Sequence, residues 1–70
     1  MNASMQVQIN GAAREIPAGL NVSALLAHLK LSPERVAIER NREILPRARW
    51  EQTLVQPGDR FEIVHFVSGG

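Results

Sequence analysis

Residues 5–16 read MQVQINGAAREI, and they constrain the fold more than any other stretch. Met5, Val7 and Ile9 alternate with Gln6, Gln8 and Asn10, a period of two that buries one side of a strand and wets the other. Asn10-Gly11 follows at once. Both residues tolerate positive φ, as a type I′ hairpin turn requires. A returning strand is therefore expected from Ala12 to Ile16, stopped by Pro17, which cannot donate to a ladder. A hairpin with one apolar face has to bury that face against another element.

The next segment supplies the cover. Asn21 is a good N-cap, and Val22, Leu25, Leu26 and Leu29 recur at i, i+3, i+4 and i+7, one stripe on a helix. The spacing predicts a helix from Val22 to Lys30, ending near Ser32-Pro33, because the residue before proline disfavours the α region. His28 sits beside the stripe with no second histidine, cysteine or acid cluster at metal spacing, and is read as a solvated flank position.

Beyond the helix, residues 36–40 (VAIER) read as a third strand, Asn41-Arg42-Glu43 as a turn, and residues 43–46 as a fourth strand closed by Pro46. Trp50, Leu54 and Val55 are expected to form a short helical turn packed on the core. Gln56-Pro57-Gly58-Asp59 is a turn with proline and glycine in common turn positions. The last strand is expected over residues 60–67. Phe61 and Ile63 alternate with Arg60 and Glu62, after which Val64, Phe66 and Val67 put apolar groups on both faces. One helix covers one side of a sheet this small, so an exposed apolar patch around Val64 and Phe66 is expected. His65 is read as a polar edge residue.

The chain has 70 residues, 44% of them hydrophobic, no cysteine, and a net charge of +1. That length makes one domain with a small core, without disulfides or Cys-based zinc sites to support it. The charge balance does not suggest a nucleic-acid binder. No apolar run approaches the roughly 18 residues needed to span a membrane, and the N-terminus lacks the basic and apolar regions of a signal peptide. The expected compartment is the cytoplasm. One domain is expected over residues 1–70, with residues 1–4 as a candidate extension before Met5 and residues 68–70 as a flexible C-terminal tail.

The expected class is α+β: a mixed five-strand sheet in the order β-β-α-β-β-β, with one main helix on one face. That order, together with QINGAAREIPAG, NVSALLAHL, VAIERNREILPRARW and GDRFEIVHFVSGG, resembles the ThiS family of thiamine-biosynthesis sulfur carriers, which are ubiquitin-like β-grasp proteins. The resemblance runs from Met5 to Gly70. It departs at Arg42, where family members often carry glycine, and at Ser68, where many carry a third terminal glycine.

The resemblance implies that the protein is a carrier and not an enzyme. Its working group is then the C-terminal carboxylate of Gly70, presented on a thin tail of Ser68 and Gly69. An E1-like adenylyltransferase (ThiF-like) would use ATP and Mg to make the acyl-adenylate. A persulfide donor would then convert Gly70 to a thiocarboxylate, and thiazole synthase (ThiG-like) would take the sulfur. The carrier itself would bind no cofactor or metal. Val64, Phe66 and Val67, rimmed by Arg47, Arg49, Arg60 and Glu62, are the candidate partner-binding residues. The alternatives are a small subunit of molybdopterin synthase, a carrier for another sulfur metabolite, a ubiquitin-like modifier, and a β-grasp interaction module with an inert tail.

Overall fold

The computed structural model describes residues 3–66. Five strands form one sheet: β1 (Ser4–Ile9), β2 (Ala12–Pro17), β3 (Val36–Arg40), β4 (Glu43–Ile44) and β5 (Arg60–His65), in the spatial order β2-β1-β5-β3-β4. The β1–β5 pair is parallel and the others antiparallel, so the mixed sheet expected from the sequence is present. Helix α1 (Val22–His28) crosses one face, and its Val22, Leu25 and Leu26 are fully buried. Each such side chain contributes about 1.5–3 kcal/mol by leaving water. They pack with Val7, Ile9, Ile16, Val36, Ile38, Trp50, Val55, Phe61 and Ile63 into one core.

The hairpin starts one residue before Met5. Ser4 pairs with Pro17, and the Ala18 N–H donates to the Ala3 carbonyl, so residues 3 and 4 belong to the sheet. Pro17 closes β2 from inside as its last residue. Asn10 and Gly11 take φ of 52° and 82°, the type I′ pattern.

The helix is capped as expected at its start, where the Ala24 N–H donates to Asn21 Oδ1 at 2.7 Å. It stops at His28, two residues short of the expected Lys30. Lys30 turns to φ 62°, and the Lys30 and Leu31 N–H groups donate to Ala27 and Leu26. That pair of bonds is a Schellman cap with lysine in the place glycine usually holds. The helix therefore ends by this local closure before Pro33 can act. Pro33 opens a 3-10 turn, Pro33–Arg35, that leads into β3.

Two further boundaries differ from expectation. Strand β4 is two residues long, because Leu45 turns inward against the core and Pro46 leads into a 3-10 helix, Arg47–Gln52. Strand β5 ends at His65 instead of residue 67, although the Phe66 N–H adds one more bond, to the Arg35 carbonyl.

The expected helical turn is this 3-10 helix, and it buries Trp50, whose indole N–H donates to the Leu45 carbonyl at 2.9 Å. Leu54 was expected in the core and is instead 53% exposed. Beyond Gln52 the chain is extended and bridges to the start of α1, with Val22 N–H on Thr53 O and Val55 N–H on Leu20 O. Extended backbone alternates sides, so Val55 goes in and Leu54 goes out.

Candidate functional site

Strand β5 lies at the centre of the sheet, with β1 on one side and β3 on the other. Its two faces are therefore set by the same parity as its neighbours. Phe61 and Ile63 point into the core beneath α1. Glu62 and Val64 point to the uncovered face, opposite Glu39 and Ala37 of β3. Ile44 of β4 lies opposite Glu39 and so joins the same face. Val64 is 59% exposed, Phe66 53% and Ile44 79%. The expected patch of Val64 and Phe66 is thus present on the open side of the sheet.

Ile44 is a member that sequence reading missed. It looked like an ordinary apolar residue of a short strand. Only its pairing with Glu39, whose side chain faces out, places it with Val64. Ile44 and Phe66 border a groove of about 260 Å³ beside β3, floored by Val36, Ile38 and Trp50. Arg47 stands at its rim, with its guanidinium carbon 5.5 Å from the centroid of the Trp50 ring. A cation held over an indole gains about 0.5–1 kcal/mol at an exposed site, so Arg47 is positioned at this groove.

The other expected rim residues lie elsewhere. Arg60 begins β5, at the end of the strand away from Phe66, and lines a separate shallow depression with Gln8, Gly11, Glu39, Arg42 and Glu62. Arg49 lines another, beside Pro46 and Thr53. Of the three arginines only Arg47 shares the groove with Phe66. Val67, Ser68, Gly69 and Gly70 lie outside the described residues.

The start of β5 is held by a polar network. Asp59 is 5% exposed, and its carboxylate accepts from Arg40 Nε at 2.9 Å, the Gln56 N–H at 2.8 Å and Asn41 Nδ2 at 3.2 Å. The turn asparagines do more than accept positive φ. Asn10 continues β1 with its side chain: its Oδ1 accepts from the Ile63 N–H, and its Nδ2 donates to the Ile63 carbonyl. Asn41 holds Arg60 from the other side, donating through its N–H to the Arg60 carbonyl and accepting the Arg60 N–H on Oδ1. Asparagine in a turn where glycine would serve was the available signal for these roles.

His28 and His65 are exposed, and Trp50 is core. Among the described residues, no group of three or more His, Cys, Asp or Glu side chains could hold a metal ion. Among the same residues, no helix is long and apolar enough to cross a membrane.

A five-strand mixed sheet grasping one helix, with its open face apolar where the last strand ends, defines a ubiquitin-like β-grasp protein. The ThiS family model matches residues 7–70, and the chain belongs to the ThiS family. A crystal structure of the thiamine biosynthesis protein ThiS from Geobacter metallireducens superposes with a TM-score of 0.81 at 36% identity, over 94% of this chain and 100% of that one. The sulfur carrier protein ThiS of Escherichia coli K12 is 35% identical over 66 residues, which cover 94% of this chain and its own full length. A thiazole synthase of Paramagnetospirillum magneticum is 44% identical over 66 residues, again 94% of this chain. The chain spans only 20% of that protein's length.

Proposed function

We propose that this protein carries sulfur for thiazole formation in thiamine biosynthesis, with the α-carboxylate of Gly70 as its working group. The observation that carries the reading is the exposed Val64, Phe66 and Ile44 patch on the open face, where the described chain leaves the sheet toward Gly69-Gly70. The ThiS-family match, which runs to residue 70, supports it.

A free carboxylate is ionised at neutral pH and is a poor electrophile, because oxide is a bad leaving group. An E1-like adenylyltransferase would let the Gly70 carboxylate attack the α-phosphate of Mg-ATP, releasing pyrophosphate. The acyl-adenylate has AMP as a good leaving group. The terminal sulfur of a persulfide would displace it to give an acyl disulfide. A thiol would then attack the persulfide-derived inner sulfur, forming a new disulfide with the donor and releasing the Gly70 thiocarboxylate. Catalysis of the first step is positioning and charge neutralisation by the enzyme and its Mg. The carrier needs no acid, base or nucleophilic side chain of its own, and acts as a co-substrate.

Extended backbone spans at most about 3.3–3.6 Å per residue, so residues 67–70 can carry a carboxylate roughly 10–14 Å beyond the sheet. Glycine at 69 and 70 keeps that thread thin. Ordering it costs about 1–2 kcal/mol per residue, which docking of the head has to offset. The Val64, Phe66 and Ile44 patch with Arg47 at its rim suits a transient interface of that kind.

Thiazole synthase is the proposed acceptor. A domain like this one accounts for 20% of the Paramagnetospirillum protein bearing that name.

The test is intact mass after incubation with the adenylyltransferase, Mg-ATP and a sulfur source. The expected gain is that of one oxygen replaced by sulfur at Gly70. No gain with an active enzyme overturns the reading. Growth rescue of a thiazole-requiring strain, beside a molybdenum-cofactor-deficient one, distinguishes this carrier from a pterin-directed one.

A further inference from the structure

We propose that the open edge of β3, beside Trp50, is a strand-addition site that takes an extended apolar segment of an enzyme receiving the Gly70 tail. This rests on the sulfur-carrier reading above.

The inference begins with the backbone of β3, which pairs with β5 along its whole length. The Phe66 N–H donates to the Arg35 carbonyl and the Asn41 N–H to the Arg60 carbonyl, and these two bonds set the phase of the ladder. In an antiparallel pair, residues that exchange bonds alternate with residues that do not. Ala37 and Glu39 therefore turn their N–H and C=O groups toward β5. Val36, Ile38 and Arg40 turn theirs the other way, toward β4.

Strand β4 covers only part of that side, because it pairs with Arg40 and Glu39 alone. The Leu45 N–H still reaches the Ile38 carbonyl. The Leu45 carbonyl, however, accepts from the Trp50 indole, and Pro46 carries the chain away into the 3-10 helix. The Ile38 N–H and both backbone groups of Val36 are left without a partner among the described residues. Val36 is extended, with φ −134° and ψ 153°, so it already has strand geometry. Val36 and Ile38 are 1% and 2% exposed. Buried backbone groups are nearly always paired, and in the free chain only solvent is left to serve these.

The unpaired groups lie on the floor of the groove described above, walled by Ile44, Leu45, Pro46, Trp50 and Phe66. An extended chain laid there follows the track that β4 leaves at Pro46. It offers the N–H and C=O of one residue to Val36, as partners that add a strand to a sheet edge do. Successive side chains of such a segment point to opposite faces. One meets Trp50 and the next meets Ile44 and Phe66, so both have to be apolar.

The partner follows from position. Phe66 borders the groove, and from it the chain runs on to Gly70. Residues 67–70 span roughly 10–14 Å when extended, so an enzyme that takes up Gly70 comes against the surface around Phe66. The opposite edge of the sheet, β2, is two strands away from β5 and carries exposed Arg14, Glu15 and Pro17, which discourage addition.

The experiment follows backbone amide exchange by NMR on the isotope-labelled full chain. It is measured alone and with the purified adenylyltransferase or thiazole synthase, beside intact-mass sulfur loading. In the free chain, the Val36 and Ile38 amides should exchange about tenfold faster than those of Ala37 and Glu39. Equal protection there means a closed edge and overturns the inference. The Val36 amide should then slow about tenfold with at least one of the two enzymes. Ile44→Asp, at an exposed wall of the groove, should remove that slowing while the melting temperature stays within about 2 °C. Binding and sulfur loading with no slowing at Val36 from either enzyme overturns the inference and leaves the carrier reading standing. A wild-type chain that neither binds nor loads overturns both.

Discussion

Phe61 and Phe66 are the two phenylalanines of the chain, five positions apart, and they have opposite fates. Phe61 is 1% exposed beneath the helix, whereas Phe66 is 53% exposed and borders a groove beside β3. The transfer free energy of the two side chains is the same. What differs is whether α1 lies over them. Hydrophobicity in β5 is thus divided by parity into residues that hold the fold and residues left over for contact, with Ile63 joining Phe61 and Val64 joining Phe66. The comparison teaches that an apolar residue in a small domain has to be assigned to a face before it is assigned to the core.

The division can be broken by mutation, and the largest effect belongs to the buried side. Phe61→Ala should cost about 3–5 kcal/mol, most of the stability of a domain this small. Urea titration checks it, and a loss below about 1 kcal/mol would contradict the buried assignment.

Asp59→Ala comes next. It leaves the partly exposed Arg40 and the Gln56 N–H without their acceptor, and should cost about 2–3 kcal/mol by the same titration. That effect would locate the anchoring of β5 at its start and not along its outer face.

Phe66→Asp should change stability by less than about 0.5 kcal/mol, as surface substitutions do, while weakening association with the activating enzyme in calorimetry. A collapse of the fold would erase the distinction between the two phenylalanines. The smallest expected effect on stability is deletion of Gly70. The melting temperature should stay within about 1 °C while sulfur loading disappears, because glycine has no side chain to pack and its carboxylate is the proposed working group. Normal loading of the shortened chain would sink the proposed mechanism.

The two hairpin turns sharpen the same lesson at the level of backbone. Asn10-Gly11 and Asn41-Arg42 adopt the same left-handed pair of conformations, and both asparagines bond to β5. The first turn was legible because Asn-Gly between alternating residues has a direct steric meaning. The second was legible only as a turn, because arginine carries no such signal, and its cost of about 1–2 kcal/mol appears only in the φ angle.

Local chemistry settled a good deal of this protein. Period-two alternation, an Asn-Gly turn, an Asn cap and an i, i+3, i+4, i+7 stripe placed the hairpin and the helix, since these depend on neighbours within a few residues. The exposed patch at Val64 and Phe66 also followed, from counting one helix against two faces. Tertiary structure alone decided the rest. Leu54 turned outward because its segment bridges to Leu20 and Val22, thirty-odd residues away in sequence. Ile44 joined the open face because β4 pairs with β3, and Arg60 left the Phe66 groove because it begins a strand six residues long whose other end leads to Phe66. Each of these depends on which strand lies beside which, and that is fixed by packing around the common core, not by any residue's own preference.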